Sequence, residues 1–287
     1  HSFGSSDTTK TRAQAFTGAP RDLWFGLFRG FAETDLCQAI IYHLARAYHK
    51  IRAFARAAKT AEANAQEARR LRLVAFVDTL GNALAIHPGA INLMVAGKGI
   101  AHSERTRDEL RETGYDLHGL QLWHALPEAF EEVEPAFYHT PAEDIPSVTL
   151  CGVTIRVMMG SAFGVTSPVK TFSPNLYFEA EMKDGASFDV PEAEELGIYV
   201  VKGEAEVDGE TAPINAMTVL NPTAKTIKAN GETRLAIIGG APLGRRYLDW
   251  NFASSSKERI EQAKEDWKAG RFGDVIGDTE EFIPLPD

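Results

Sequence analysis

The sequence predicts an all-β fold that ends in one helix and begins with a segment of different character. From about Gly81 onward, short apolar runs alternate with turns rich in Gly and Pro, which is typical of sandwiches and barrels. The runs form two blocks, so we predict two β-barrels packed face to face. The first block has runs at 86, 91–95, 120–123 and 148–157, and the second has runs at 176–182, 186–190, 197–201, 205–207, 217–220, 226–229 and 234–238.

Short turn motifs divide the second block into hairpins. Lys183-Asp184-Gly185, Lys202-Gly203 and Asp208-Gly209 are turn sequences, and each predicts a hairpin between the runs on either side. The two blocks predict two domains, at residues 1–145 and 146–287. The second block contains no histidine, so we expect the second domain to be structural rather than a metal site.

The end of the chain carries the pattern of a helix over residues 255–269. The serines at 254–256 can cap this helix, and Glu258 follows at the spacing of a capping box. Ile260 and Ala263 share one face at helical spacing, so we expect that face to pack against a barrel.

Residues 10–77 form an atypical segment. The sequence over 32–77 is rich in Ala, Arg, Glu and Gln, and no Gly or Pro occurs between Gly30 and Gly81. The pattern alone predicts a long helix or a helical hairpin. Three origins are open: a genuine divergent insertion, a stretch read out of frame in a GC-rich gene, and a chimera. The abrupt change near Val77 favours the out-of-frame origin, and we expect residues 30–75 to fit the fold poorly.

The composition excludes several classes of function. The chain has 287 residues and a net charge of −10, which argues against direct binding to nucleic acid because such binding needs a basic surface. No apolar run is long enough to span a membrane. The two cysteines, Cys37 and Cys151, give no disulfide framework. Cys151 stands next to Gly152 in an apolar run, so we expect it in the core. With no visible signal peptide, we expect a cytoplasmic protein, and we expect it to be a monomer.

The most informative motif is the run from Gly97 to Thr106, which contains His102 and Glu104. In a β-strand, side chains two residues apart point to the same face, so these two can reach one point in space. An imidazole and a carboxylate make half of a mononuclear metal site, and such ligands suit Fe(II), Mn or Zn. The spacing by itself also fits a plain strand with two polar residues facing solvent.

Several longer motifs resemble the pirin family of two-domain cupins. These are AGKGIAHSE at 96–104, HGLQLW at 118–123 and WNFASSSKERIEQAKEDWKAGRF at 250–272, which occur in the order typical of that family. The resemblance covers about residues 79–287. It implies two cupin barrels, with a metal site in the first and a degenerate second barrel.

The resemblance also implies a ligand set that this chain does not fully provide. A cupin iron site has three imidazoles and one carboxylate, and His102 and Glu104 match two of these ligands. The family's His-Pro-His motif has no counterpart, and Phe76 and Val77 stand where a His-Arg pair is usual. His49 is the candidate for a third ligand. We therefore expect weak or absent Fe(II) binding, with another divalent metal as the alternative.

Two functions follow from the resemblance. The first is a quercetin 2,3-dioxygenase-type oxygenase that uses a mononuclear Fe(II) site and takes a small aromatic, flavonol-like substrate, with Glu104 as a catalytic base or ligand. The second is a non-enzymatic, redox-sensitive regulatory protein that binds a protein partner. The acidic charge is compatible with a protein partner even though it argues against nucleic acid.

Overall fold

The computed structural model describes residues 74–106, 119–275, 277–279 and 282–286. The predictions made for residues 10–73, including the ligand role of His49, lie outside the described residues. His118 of the HGLQLW motif also lies outside them. The helical prediction is wrong for residues 74–77, which belong to the strand Val74–Asp78 and pair with Ala83–Ile86 and His102–Thr106. The division into domains at 1–145 and 146–287 remains a prediction.

The described residues are mostly β-strand with one α-helix, which confirms the predicted all-β class. The helix, α1, covers Lys257–Lys268 within the predicted range. No helix in the described part of the chain is long and apolar enough to cross a membrane. The strands are β1 Val74–Asp78, β2 Ala83–Ile86, β3 Ile91–Val95, β4 His102–Thr106, β5 Ala136–Thr140, β6 Ser147–Leu150, β7 Val153–Met159, β8 Ser161–Ala162, β9 Val165–Thr166, β10 Asn175–Met182, β11 Ser187–Asp189, β12 Glu195–Val207, β13 Glu210–Ala212, β14 Met217–Val219, β15 Thr226–Gly240, β16 Tyr247–Asp249 and β17 Phe252–Ser254.

An eight-stranded sheet forms the centre of the described structure. Its main path runs β13-β12-β15-β10-β7-β6, while β11 pairs with β15 and β14 pairs with β12. One face of this sheet encloses an apolar core in which Phe178, Ile198 and Ile237 are fully buried. Phe163 and Phe188 meet Phe178 edge to face, with ring centroids 5.2 and 6.0 Å away. Aromatic and aliphatic side chains thus fill the interior of the second half.

The other face of the same sheet packs against the first half of the chain. Tyr177 and Ala236 are buried on this face and form a second apolar cluster. Leu93 of β3, together with Leu120 and Leu122, packs against that cluster. Because successive residues of a strand point to opposite faces, Tyr177 and Phe178 belong to two different cores.

A small antiparallel sheet carries the candidate ligands. Its strand order is β2-β1-β4, so β1 lies between β2 and β4. In the pairing of β1 with β4, Asp78 faces His102 and Phe76 faces Glu104. β3 pairs separately with β5.

The cap of α1 differs by one residue from the capping-box prediction. Ser256 is the N-cap, and its hydroxyl accepts a hydrogen bond from the backbone N–H of Arg259. Glu258 is therefore the second helical residue rather than the third, and its carboxylate accepts a hydrogen bond of 2.8 Å from the Ser256 hydroxyl. A negative charge in the first turn still stabilises the helix dipole.

Three predicted elements are absent from the places where the sequence pattern put them. The turn at Lys183-Asp184-Gly185 is not a hairpin, because β10 and β11 on either side of it both pair with β15 and not with each other. The apolar run at 120–123 forms no strand, and its Leu120 and Leu122 pack on the second cluster from a segment without regular secondary structure. The Lys202-Gly203 pair is not a hairpin turn but an irregularity inside the long strand β12. Gly203 has φ +80°, and a Cβ there would lie 2.4 Å from the Glu232 carbonyl oxygen. The glycine thus permits a bulge with close backbone approach rather than a chain reversal.

Candidate metal centre

The turn before β4 sets the direction in which the strand begins. The backbone N–H of Lys98 donates to the Val133 carbonyl at 3.0 Å, and the N–H of Gly99 donates to the Ala96 carbonyl at 2.9 Å. Gly97 has φ +50°, and a Cβ there would lie 2.0 Å from the Val133 carbonyl oxygen. A glycine is required at this position because both its backbone conformation and the close approach exclude a side chain.

β4 brings His102 and Glu104 together on one face, as predicted from their spacing. Both residues are exposed to solvent. The partners in β1 that face them, Asp78 and Phe76, project on the same side because directly opposed residues of an antiparallel pair share a face. Four side chains of two strands therefore surround the candidate site.

Asp78 is buried next to His102, but its carboxylate is used to close the turn after β1. Its Oδ1 accepts hydrogen bonds from the backbone N–H groups of Leu80 at 2.9 Å and Asn82 at 3.0 Å. Its Oδ2 accepts a hydrogen bond of 2.8 Å from the side-chain amide of Asn82. Asp78 thus acts as a structural cap of the turn, and it contributes a negative charge near His102.

Phe76 occupies the space beside the imidazole of His102. The two rings are stacked, with centroids 5.4 Å apart and an interplanar angle of 24°. Phe137 of β5 lies 4.6 Å from Phe76 on another side. Phe76 is only 4% exposed, so its ring forms an apolar wall where a further donor would otherwise reach the site.

The surroundings favour the neutral form of His102. Partial burial lowers the pKa of His102 below its ordinary value, and the negative charges of Glu104 and Asp78 oppose this shift without cancelling it. A neutral imidazole is the form that coordinates a metal ion. His102 is partly covered by its neighbours but is still exposed to solvent as a residue, so a ligand can reach it.

The described residues do not complete a metal-binding shell. No three His, Cys, Asp or Glu side chains in the described ranges lie close enough together to hold a metal ion. His102 and Glu104 supply one nitrogen and one oxygen donor, whereas Phe76 brings no donor at all. Taken alone, the described residues therefore do not fit a cupin iron centre.

The remaining described histidines lie elsewhere. His87 is exposed in the turn before β3. His139 contacts the Asn92 side chain across the β3–β5 pair at 2.7 Å. The Nε2 atom of His124 lies 3.3 Å from the side-chain amide of Asn175, and burial lowers the pKa of His124. None of these three pairs with an acidic side chain in the described contacts.

The structure also reveals residues behind the site that the sequence patterns did not single out. Arg105 directs its guanidinium away from the His102 and Glu104 face, because odd and even residues of a strand alternate. Its Nε and Nη2 atoms each donate a hydrogen bond of 2.6 Å to the carboxylate of Asp278. The two residues are 173 positions apart, so no local spacing signals this contact.

Comparisons with known proteins match both halves of the described structure. The family model described as Pirin matches residues 73–124, and the model described as the Pirin C-terminal cupin domain matches residues 177–273. A pirin-like protein of Caulobacter vibrioides is 43% identical over 214 residues, covering 73% of this chain and 74% of that protein. A pirin-like protein of Solanum lycopersicum is 29% identical over 205 residues, covering 68% of this chain and 69% of that protein.

A solved structure agrees with these matches. The crystal structure of quercetin 2,3-dioxygenase from Acinetobacter baumannii superposes with a TM-score of 0.68 at 29% sequence identity, covering 75% of this chain and 72% of that one. The cupin fold predicted from the motifs is therefore confirmed. Both family models, the level of identity and the shared fold lead to the same conclusion: the chain belongs to the pirin family.

Proposed function

We propose that this pirin is a quercetin 2,3-dioxygenase-type oxygenase whose functional centre is the face of β4 that carries His102 and Glu104. The single observation that supports this proposal most is the placement of both side chains on one exposed face, next to the aromatic wall of Phe76. The similarity to a solved quercetin 2,3-dioxygenase supports the same class of activity.

The proposed cofactor is Fe(II), with another divalent metal as the alternative. His102 and Glu104 would supply two of its donors. The third must come from outside the described residues, and His49 is the candidate. When bound, such a metal would act as a Lewis acid toward the substrate and O₂. Fewer protein donors mean weaker binding, so we expect a metal affinity below that of a complete three-His, one-Glu shell.

The proposed substrate is a small, planar, aromatic molecule with an acidic hydroxyl group, such as a flavonol. Phe76 is only 4% exposed, so its ring would not contact a substrate directly. Together with Phe137 it gives the imidazole of His102 an apolar support, and a planar substrate would pack beside that imidazole. Glu104, which is exposed to solvent, would accept the proton of a bound hydroxyl. The cytoplasmic location and the monomeric state stay predictions from the sequence.

A regulatory role is the second candidate. The observation that favours it is the incomplete donor set among the described residues, because a protein without turnover can keep a weak or vestigial site. The net charge of −10 fits a basic protein partner better than nucleic acid.

A turnover assay separates the two candidates. Purified protein would be loaded with Fe(II) under nitrogen, and the loss of quercetin and of O₂ would be followed after aeration. We expect activity that depends on added Fe(II) and is lost in His102→Ala and Glu104→Gln. His87→Ala serves as the control, since His87 is an exposed histidine in a turn. Quercetin loss that is the same in all four proteins would reject the oxygenase.

The same preparations test the role of His49. If His49 is the third donor, His49→Ala should lower Fe(II) affinity as strongly as His102→Ala does. An unchanged affinity in His49→Ala, together with a loss in His102→Ala, would assign the third donor to another residue or to water.

A further inference from the structure

We propose that the C-terminal part of the chain is a positioning element that fixes β4 and so sets the placement of His102 and Glu104. We name Arg259, Phe272 and Asp278 the C-terminal clasp. This inference rests on the proposed function only in the consequence for metal binding, because the position of β4 can be measured without any metal.

Arg259 makes the first contact of the clasp. This residue lies in the first turns of α1, and its Nη2 atom donates a hydrogen bond of 2.7 Å to the carbonyl oxygen of Lys98. Its Nε atom donates a second hydrogen bond, of 2.8 Å, to Glu132. The guanidinium therefore joins the helix to the turn from which β4 begins.

Phe272 makes the second contact, directly at Gly99. A Cβ built on Gly99 would lie 2.1 Å from Cε1 of the Phe272 ring, so the ring lies almost against the backbone. The same ring stacks on Phe252, at a centroid distance of 5.9 Å and an interplanar angle of 21°. Because only a glycine leaves room for this approach, Gly99 and Phe272 fix each other's position.

Asp278 makes the third contact, at the end of β4. Its carboxylate accepts two hydrogen bonds of 2.6 Å from the Arg105 guanidinium in a fork-to-fork arrangement. The Arg105 guanidinium holds the pKa of Asp278 at about 2, below its ordinary value, so the carboxylate is charged at neutral pH. A planar, two-point contact fixes direction as well as distance, which a single lysine contact does not.

In the sequence, the three contacts lie on both sides of the two candidate ligands. They fall at positions 98, 99 and 105, on both sides of His102 and Glu104. The Asp278 contact lies behind the strand, because Arg105 points away from the face that carries the two candidate ligands. Among the described strands, β4 lies at the edge of its sheet with β1 as its partner. Within the described ranges, the clasp thus supports β4 and the turn before it in addition to the pairing of β4 with β1.

The clasp is expected to affect position more than overall stability. The Arg105 side chain is 39% exposed and that of Asp278 is 16% exposed, so solvent screens their ion pair. Partly exposed ion pairs contribute little to the free energy of unfolding. Supporting contacts behind a ligand, by contrast, typically change metal affinity by about 10–100-fold. These two expectations differ enough for one set of variants to separate them.

The test compares Asp278→Asn with Asp274→Asn in the full chain labelled with carbon-13 histidine. Asp274 is an exposed carboxylate four residues earlier in the same tail and serves as the matched control. The NMR signal of His102 is assigned by its loss in His102→Ala. We expect Asp278→Asn to shift the His102 signal and to speed amide exchange over residues 98–106, while Asp274→Asn changes neither. Asp278→Glu, which keeps the charge, should return the signal toward its original position.

A Co(II) titration of the same proteins adds the link to the proposed function. We expect Asp278→Asn to weaken Co(II) binding by about 10–100-fold. Arg105→Gln should give the same loss, and the double variant should be no worse than either single one. If Co(II) binding is insensitive to His102→Ala, the proposed metal site is rejected, and the NMR signal and the amide exchange still decide on the clasp. A His102 signal and exchange rates that are equal in Asp278→Asn and Asp274→Asn would overturn the clasp.

Discussion

Glu131 and Arg246 form a buried ion pair that joins the two halves of the chain. The carboxylate lies 2.8 Å from Nε of Arg246, and the two side chains are 13% and 4% exposed. The same carboxylate accepts hydrogen bonds from the hydroxyl of Ser254 and from the backbone N–H of Ser255, just before α1 begins. Arg246 in turn donates to the Leu126 carbonyl oxygen. One pair thus holds the end of the first half against the base of the C-terminal helix.

Removing Glu131 should therefore destabilise the protein strongly. Glu131→Ala leaves the Arg246 charge buried without its main partner, which typically costs about 3–5 kcal/mol. The measurement is urea unfolding, with Glu128→Ala as the control because Glu128 is an exposed carboxylate in the same short turn. A loss in Glu131→Ala no larger than that in Glu128→Ala would mean that the pair does not join the halves.

Replacing Phe76 by histidine should strengthen metal binding. Phe76 faces Glu104 across the β1–β4 pair and stacks on His102, so a histidine there adds an imidazole to the same face. Since losing one supporting partner of a ligand costs about 10–100-fold in affinity, gaining a direct donor should raise Co(II) affinity on the order of tenfold or more. Isothermal titration calorimetry measures the change. Phe76→Ala, which removes the ring without adding a donor, is the control, and equal affinity in both variants would contradict the prediction.

A side chain at Gly99 should displace the C-terminal segment. Gly99→Ala places a Cβ 2.1 Å from the ring of Phe272 at φ +135°, so the ring must move away. We expect a lower melting temperature and a change in the fluorescence of Trp267, whose ring lies 6.1 Å from that of Phe272. Gly244→Ala is the matched control, because Gly244 also has a positive φ, +75°, but its Cβ would meet no atom within 4 Å. The two variants differ in the clash, so equal fluorescence changes would contradict this prediction.

Alkaline pH should destabilise the second apolar cluster through Tyr177. Burial raises the pKa of the Tyr177 hydroxyl above its ordinary value, and the Glu179 carboxylate that accepts its 2.7 Å hydrogen bond adds to the shift. A group with a raised folded pKa stabilises the fold below its unfolded pKa of about 10 and loses this contribution as the pH rises above that value. The free energy of unfolding should therefore fall above about pH 10.

The variant Tyr177→Phe tests this assignment. It removes the titrating hydroxyl while keeping the ring, so its free energy of unfolding should depend less on pH in the alkaline range than that of the parent chain. An equal alkaline slope in the two proteins would show that another group causes the loss.

The sequence predicted the strands and helix of the second half well, because apolar runs and turn residues act locally. The run at 176–182 lies in β10, and the helix predicted over 255–269 is α1 at Lys257–Lys268. The errors occurred where a distant contact decides the outcome. Leu120 and Leu122 are apolar because they cover the second cluster, not because they form a strand.

The candidate site was predictable in its local part only. The spacing of two residues between His102 and Glu104 predicted their shared face. Phe76 comes next to them only because β1 pairs with β4, and Asp278 contacts Arg105 from the C-terminal tail, so neither contact has a local sequence signal. Cys151, expected in the core from its apolar neighbours, lies exposed in the turn between β6 and β7. Gly152 next to it has φ +82°, which turns the chain there and points the thiol outward.

The two faces of the large sheet have a consequence for how this protein can change over time. Neighbouring residues such as Tyr177 and Phe178 support separate cores, so the second half completes its own interior without help from the first. Its other face offers an apolar surface, and the strands of the first half pack on that surface. Substitutions in the first half then change the residues that pack on this surface, while the interior core of the second half keeps all its contacts. Such a chain can lose or replace parts of a catalytic centre while its scaffold continues to fold.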